Sequence, residues 1–250
     1  MNKAEDLKLA LVGLSGVGKS AAGNTILGLE EFKSEISASS VTLKSEGRER
    51  EVCGRRITVV DTPGLFNTDL SGERLREEME RCVSLCGLGP HAFLLVIQLG
   101  RFTEQEKRVM ETLQELFSER VDQYTVVLFS YGDKLRNTTI EKFISNDTNL
   151  QQLLQKCRGR YHVFNNEDME NHSQVPELLQ KIDKMVEENG GGCYTNEMDR
   201  NAEEETKEKK KRMSRENERA GEGGIKRMAL KWRAKIRKGP GSQGKFTALK

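Results

Sequence analysis

Short apolar runs alternate along the chain with longer stretches in which apolar residues recur every three or four positions. This alternation is typical of α/β folds, in which helices flank a mostly parallel central sheet. The predicted buried strands span residues 7–13, 56–61, 91–98, 124–130 and 160–164. The predicted helices span residues 19–27, 71–85, 103–117, 140–157 and 175–188, with a break in the fourth expected near Asp147. The charged residues of helix 71–85 are expected to form a solvated face.

A further strand is expected at the edge of this sheet. Residues 42–52 are polar and run through a turn at Cys53 and Gly54 into the next apolar strand. A polar strand that turns directly into a buried one predicts an antiparallel edge.

The periodic pattern ends at Asn189, which precedes three glycines. Residues 201–250 carry 16 Lys and Arg against 7 Asp and Glu, a net charge of +9, and the whole-chain counts of 41 and 39 then leave −7 on residues 1–200. From 201 to 217 the chain has almost no apolar residues, which is typical of a solvated helix or a disordered segment. We therefore expect one folded domain over residues 7–189 and a charged C-terminal extension, helical or disordered, over residues 190–250.

The composition argues against several classes of protein. Five cysteines are an odd number without framework spacing, and no His or further Cys lies close enough in sequence to Cys82 and Cys86 to suggest a zinc site. Free thiols in a reducing compartment are expected. No run of 18 apolar residues exists, and the first apolar run leads into a phosphate motif, so it predicts a strand rather than a signal peptide. We expect a cytoplasmic location.

A phosphate-binding motif follows the first predicted strand. Residues 13–20 match the pattern G-x-x-x-x-G-K-[ST] and are Gly13, Leu14, Ser15, Gly16, Val17, Gly18, Lys19 and Ser20. In this pattern main-chain N–H groups surround the β-phosphate, the lysine contacts the β- and γ-phosphates, and the hydroxyl binds Mg²⁺. The next helix, which begins at Lys19 and continues through Ala21, directs its positive end at the same anion. The motif predicts a nucleoside triphosphate site over residues 13–21.

Two later motifs complete the expected site. The sequence Asp61-Thr62-Pro63-Gly64 ends a predicted strand about 40 residues after the phosphate motif. There Asp61 is expected to hold Mg²⁺, and the Gly64 N–H is expected to bond the γ-phosphate. After the strand 124–130, the Asp133 carboxylate could accept from the N1–H and N2–H₂ donors of guanine. Because Tyr131 and Gly132 replace the usual Asn-Lys of N-K-x-D, these residues alone leave GTP and ATP both open.

The residues around these motifs resemble the GTPases of immunity-associated proteins (the GIMAP family), relatives of the septins and of chloroplast import GTPases. The resemblance rests on LVG at 11–13, GKSAAGNTILG at 18–28, SVT at 40–42, DTPGLF at 61–66, HAFLLV at 91–96 with LGRFT at 99–103, and RYHVFNN at 160–166. The box at 91–103 is the most specific of these. The resemblance covers residues 7–189 and implies a P-loop GTPase domain, the G domain, that binds GTP or GDP with Mg²⁺.

The resemblance also implies roles for single residues. Asp133 takes the guanine-selecting role, although the family more often has Arg-Lys-x-Asp where this chain has Ser-Tyr-Gly-Asp. Asn165 and Asn166 fall in the fifth motif, a loop that packs over the base. Thr42 is the candidate switch threonine that senses Mg²⁺ and the γ-phosphate. Hydroxyl groups nearby are alternatives to it, namely Thr25, Ser34, Ser39 and Ser40. Ser34 aligns with a nucleotide contact of the family.

Hydrolysis is expected to be slow. Where Ras-like GTPases place a water-positioning Gln after D-x-x-G, this chain has Leu65 and then Phe66. The family resemblance implies pairing of GTP-bound domains through the nucleotide face, as a homodimer or a family heterodimer. The first hypothesis is therefore a GTP-dependent switch or scaffold. The alternative is an interaction protein that binds GTP or GDP without hydrolysing it and is tethered to a membrane. A third, an ATP-dependent kinase, is disfavoured by Asp133 and the family box.

The tail offers a candidate membrane contact. Residues 225–250 contain nine Lys and Arg and no acid, and residues 225–238 add Ile225, Met228, Leu230, Trp232 and Ile236. Such a segment could lie on an anionic organelle membrane, and a solvated basic tail is the competing interpretation because the apolar residues form no clean stripe. Nucleic acid is not expected as a partner, since the basic patch lacks interleaved aromatic residues.

Overall fold

The computed structural model describes residues 6–34, 42–67, 69–100, 102–168 and 170–195. The predicted extension therefore lies outside the described residues, apart from residues 190–195. In the described part, six strands form one sheet, in chain order β1 (Asp6–Gly13), β2 (Glu46–Val52), β3 (Arg55–Asp61), β4 (Ala92–Gln98), β5 (Thr125–Ser130) and β6 (Tyr161–Val163).

The strand order across the sheet is β2-β3-β1-β4-β5-β6, and β2 is antiparallel while the other pairings are parallel. After β1 the chain first builds one side of the sheet through β2 and β3, and then returns to build the other side from β4. The carboxyl end of β1 is therefore a topological switch point, where open α/β sheets bind their ligands. The α/β prediction with a mostly parallel sheet is confirmed.

Within the described ranges there are six α-helices, with bounds α1 (Lys19–Leu27), α2 (Gly72–Leu85), α3 (Glu104–Phe117), α4 (Ile140–Ser145), α5 (Thr148–Lys156) and α6 (Gln174–Glu188). The break near Asp147 is confirmed, because the Asp147 carboxylate caps α5 by accepting from the N–H groups of Asn149 and Leu150. Thr103 and Glu106 form the capping box at the start of α3. None of the described helices combines the length and the apolar character needed to cross a bilayer.

The core combines strand residues that are apolar on both faces of the sheet with the apolar faces of the helices. In β4 every residue from Ala92 to Ile97 is buried, as expected for a central parallel strand. All five cysteines are free thiols, as predicted.

The folded body extends beyond Asn189, where the periodic pattern ends. Tyr194 is only 2% exposed, its N–H donates to the Pro90 carbonyl at 2.9 Å, and its hydroxyl donates to the Phe117 carbonyl. Packing against the core therefore continues to Tyr194, because the glycines that end α6 do not end the core.

Candidate functional site

The motifs predicted from sequence meet at one edge of the sheet. Gly13 ends β1, Asp61 ends β3, Ser130 ends β5, and residues 164–166 follow β6. These strands are parallel, so their carboxyl ends lie side by side.

The loop after β1 passes very close to its neighbour strand. Gly13 has φ +146°, and a Cβ built there would lie 2.5 Å from the Val96 carbonyl oxygen. Only glycine fits such a position without displacing main chain. The loop continues to Gly18, which caps the N-terminus of α1, so the first N–H groups of that helix face the loop.

Lys19 is held under this loop. Its ammonium group donates to the Leu14 carbonyl at 2.8 Å, and its side chain is nearly inaccessible. Burial lowers the pKa of Lys19 from 10.5 to about 8, although the charge of Asp61 opposes this shift. At about 1.4 kcal/mol per unit, keeping the amine charged costs the protein roughly 3 kcal/mol near neutral pH. An anion bound in the loop would offset that cost.

Three oxygen-bearing side chains converge beside Lys19. The Ser20 hydroxyl donates to Asp61 Oδ2 at 2.6 Å, and the Thr42 hydroxyl donates to the same oxygen at 3.2 Å. Ser20 Oγ and Thr42 Oγ1 are 3.5 Å apart. The other carboxylate oxygen, Asp61 Oδ1, is buried and has no hydrogen-bond partner among the described residues. The pKa of Asp61 is raised, because the effect of burial exceeds the opposing effects of the Lys19 charge and the two hydroxyls.

This oxygen cluster fits Mg²⁺, which takes hydroxyl, carboxylate and water oxygens rather than nitrogen or sulfur. Within the described ranges there is no group of three or more His, Cys, Asp and Glu side chains able to hold a metal. This part of the chain therefore does not supply a complete set of such protein ligands. A site with few protein ligands, completed by phosphate oxygens and water, is the arrangement that Mg²⁺ adopts with nucleotides.

The structure separates Thr42 from its described alternatives. The Thr25 hydroxyl lies 2.9 Å from Asn166 Oδ1, away from the oxygen cluster. Ser34 is exposed and makes no hydrogen bond to the cluster within the described residues. Ser39 and Ser40 lie outside the described residues. Thr42 is thus the hydroxyl that joins Ser20 and Asp61.

Gly64 presses against the phosphate-binding loop. A Cβ at Gly64 would lie 2.0 Å from Ser15 Oγ and 2.6 Å from Ser15 N. The next residue, Leu65, donates its N–H to the Gly13 carbonyl at 2.9 Å, and its side chain is buried. The segment after β3 and the loop after β1 therefore form one surface, and a larger residue at 64 would push them apart.

The expected base end of the site lies after β5. The Ser130 hydroxyl donates to the Val17 carbonyl at 2.6 Å, which fixes this strand end to the phosphate-binding loop. Tyr131 has the left-handed φ of +58°, and Gly132 donates its N–H to the Phe164 carbonyl at 2.8 Å. Asp133 is exposed, and the Lys134 ammonium lies 4.5 Å from the centre of the Tyr131 ring.

Sequence reasoning missed Gln174, which shapes the loop that carries Asn165 and Asn166. Gln174 is only 6% exposed. Its Oε1 accepts from the Asn165 N–H at 3.0 Å, and its Nε2 donates to the carbonyls of Asn165 and Asp168 at 3.2 and 3.0 Å. A buried glutamine with three bonds to one loop fixes that loop's shape. Its only signal in the sequence is a polar residue at the start of an amphipathic helix.

Asn24 was also missed as a structural residue. Its Oδ1 accepts from the N–H groups of Glu31 and Phe32, and its Nδ2 donates to the Phe32 carbonyl at 2.9 Å. A Cβ at Gly23 would lie 2.8 Å from the Phe32 ring. The Gly-Asn pair in α1 therefore holds the segment that leads from α1 toward Ser34.

Comparison with known proteins agrees with this architecture. A profile described as the AIG1 family matches residues 7–214. The chain is 38% identical over 196 residues to mouse GTPase IMAP family member 8, a match that covers 76% of this chain and 28% of the mouse protein. It is 37% identical over 205 residues to Arabidopsis thaliana immune-associated nucleotide-binding protein 9, covering 79% of this chain and 60% of that one. The chain thus spans less than two thirds of these relatives.

Among solved structures, Arabidopsis thaliana Toc33 in complex with GDP and Mg²⁺ superposes with a TM-score of 0.56 at 18% identity, over 73% of this chain and 85% of that one. At that identity the likeness shows a shared fold. The family profile covers most of the chain, and its match includes the phosphate-binding loop, the oxygen cluster and the fifth-motif loop. By sequence, the chain belongs to the AIG1 family.

Proposed function

We propose that this chain binds GTP and GDP with Mg²⁺ and acts as a GTP-dependent switch or scaffold with slow intrinsic hydrolysis. The observation that carries the proposal is the convergence of Lys19, Ser20, Thr42 and Asp61 beside a glycine loop at the switch point of the sheet. Two relatives, one named as a GTPase and the other as a nucleotide-binding protein, support it.

In this proposal, different residues of the site bind the phosphates, the Mg²⁺ ion and the base. Lys19 and the loop N–H groups bind the β- and γ-phosphates, and the Gly64 N–H reaches the γ-phosphate. Ser20, Thr42 and Asp61 would hold Mg²⁺, Asp61 through water, and the ion would neutralise charge on the phosphates. The Asp133 carboxylate, which is exposed after β5, accepts from the donors of guanine.

Replacing Asp133 by Asn is expected to weaken GTP binding by about 1–3 kcal/mol, roughly 5- to 150-fold, because the two guanine donors lose their carboxylate partner. Affinity for xanthosine triphosphate should rise, since an amide can donate to the additional oxygen of that base. Competition against a fluorescent guanine nucleotide measures both. Lys134→Ala is the matched control and should change GTP affinity less; an Asp133→Asn variant that still prefers guanine would assign the base contact to another residue.

Nucleotide binding is expected to take up protons at alkaline pH. The ammonium form of Lys19 binds phosphate, and its pKa of about 8 in the free protein must rise when an anion arrives. Uptake should therefore grow from roughly 0.25 to roughly 0.75 proton per nucleotide between pH 7.5 and 8.5. Calorimetric titration in buffers of different ionisation enthalpy measures it. Lys134→Ala should show the same uptake, and a constant value across this range would contradict a lowered Lys19 pKa.

The residues after Gly64 support the proposal of slow turnover. Leu65 is buried and Phe66 has φ +60°, and neither side chain can orient a water for attack. A partner across the nucleotide face could complete the site. Dimerisation is important for the GTPase activity of the chloroplast translocon components atToc33 and psToc159, and the structure solved in that work shares this fold with a TM-score of 0.58.

The test measures the molecular mass of the protein in solution with GTPγS or GDP bound, and follows single-turnover hydrolysis of radiolabelled GTP. We expect a dimer with GTPγS, a monomer with GDP, and phosphate release that accelerates with protein concentration. A monomer in both states at micromolar concentrations would exclude nucleotide-dependent pairing. No phosphate release after hours, with dimers present, would favour the non-hydrolysing interaction protein, and equal affinity for ATP and GTP would favour a kinase.

The proposed location is the cytoplasm. Residues 225–238 would contact the surface of an organelle membrane and thereby tether the protein to it. These residues lie outside the described ones, so the proposal rests on their basic and apolar composition. Co-sedimentation with vesicles containing anionic lipid tests it. Binding should fall as salt rises and should be lost on neutral vesicles.

A further inference from the structure

Residues of helix α2 form hydrogen bonds with the N–H, the hydroxyl and the carbonyl of Ser45. The Ser45 N–H donates to Glu78 Oε2 at 2.6 Å, its hydroxyl donates to the Glu78 main-chain carbonyl at 2.8 Å, and its carbonyl accepts from Arg81 Nε at 3.1 Å. Ser45 is fully buried, and Glu78 is 6% exposed. We call these three residues the Ser45 clamp.

Glu78 departs from the solvated face predicted for this helix. The other glutamates of α2 are exposed, namely Glu73, Glu77 and Glu80. Burying a carboxylate is costly unless it is well bonded. Here the Ser45 N–H supplies the Glu78 carboxylate with a short main-chain hydrogen bond. A buried, hydrogen-bonded glutamate on an otherwise solvent-exposed helix face needs a structural or functional reason.

The clamp joins the two segments that reach the oxygen cluster. Ser45 lies three residues after Thr42, whose hydroxyl is 3.2 Å from Asp61 Oδ2. Helix α2 follows the segment that contains Gly64, which presses on Ser15 of the phosphate-binding loop. The Thr42 segment is therefore linked to α2 through two buried hydrogen bonds between Ser45 and Glu78 rather than through solvent.

We propose that Glu78 is a positioning residue for recognition of the γ-phosphate and Mg²⁺. Through Ser45 it fixes where Thr42 stands relative to Asp61, and it makes the Thr42 and Gly64 segments respond to the γ-phosphate as one unit. The inference rests on the proposed function and adds to it the residue through which the two segments are coupled.

The test compares Mg²⁺-dependent binding of GTPγS and GDP in Glu78→Ala, Thr42→Ala and the double variant, with Glu80→Ala as the exposed control on the same helix. Glu78→Ala should lower the preference for GTPγS over GDP about tenfold and raise the Mg²⁺ concentration needed for half-saturation by a similar factor. The double variant should be no worse than Thr42→Ala alone. Glu78→Gln, which keeps an oxygen acceptor for the Ser45 N–H, should recover most of the preference.

Each outcome bears on one claim. Equal weakening of both nucleotides, or effects of Glu78→Ala and Thr42→Ala that multiply, would show that Glu78 only stabilises the fold and would overturn the inference. If Glu78→Ala does not fold, Ser45→Ala, which loses only the hydroxyl bond, should shift the preference in the same direction by a smaller factor; no shift would overturn the inference. Failure of the wild-type chain to bind GTP would overturn the proposed function itself.

Discussion

Replacing Lys19 by Met is expected to reduce affinity for GTP and GDP about a thousandfold, so that binding is lost at micromolar protein. The substitution keeps the apolar stem and removes a buried charge that would otherwise face the β- and γ-phosphates; loss of one partner from a buried ion pair costs about 3–5 kcal/mol. Lys19→Ala should behave alike. Equilibrium binding of a fluorescent guanine nucleotide measures the loss, and Lys156→Ala, an exposed lysine in the last turn of α5, serves as the control.

The same variant separates binding from folding. Because burial lowers the Lys19 pKa to about 8, the charged amine destabilises the nucleotide-free protein below that pH, and the cost disappears as pH rises toward the unfolded value of 10.5. Nucleotide-free Lys19→Met should therefore melt no lower than wild type at pH 7, while gaining no stability from added GTP. A variant that still binds GTP with near wild-type affinity would assign the phosphate charge to another residue.

The strands were predictable because buried parallel strands are continuous apolar runs bounded by turns. The differences at their ends have physical reasons. The edge strand was expected to begin at residue 42, but β2 begins at Glu46, since the main-chain N–H and carbonyl of Ser45 bond to the side chains of Glu78 and Arg81 instead of to a neighbouring strand. At the opposite edge, β6 is shorter than predicted, although Arg160 and Phe164 still bond to β5.

The site was predictable where chemistry imposes fixed spacing, as in the phosphate-binding loop and the Asp61 motif. It was not predictable where the contact is distant in sequence and the residue type is ordinary on a helix surface. Glu78 and Gln174 are polar residues of amphipathic helices, and nothing in their spacing distinguishes them from solvated neighbours. The fold buries each of them against a segment that carries candidate site residues.

Replacing Tyr194 by Ala is expected to lower the free energy of unfolding by about 3–5 kcal/mol, the range for large aromatic-to-alanine changes in a core. The ring packs in T-shaped contact with Phe93, Phe117 and Tyr124, at centroid distances of 5.4, 5.9 and 5.7 Å. A Cβ at Gly89 would lie 1.7 Å from the Tyr194 carbonyl oxygen. The segment that follows α6 therefore lies directly against the main chain at Gly89. For a domain of this size the melting temperature should fall by roughly 10 °C.

Thermal and denaturant unfolding measure this loss, and Tyr194→Phe is the matched control. It keeps the ring and removes the hydroxyl bond to Phe117, so it should cost only about 1 kcal/mol. GTP affinity should stay near wild type in both variants, because Tyr194 bonds to Pro90, just before β4, whereas the nucleotide loops follow the opposite ends of the strands. If Tyr194→Ala melts within a degree of wild type, the folded body ends with α6, and the residues after Asn189 contribute nothing to the core.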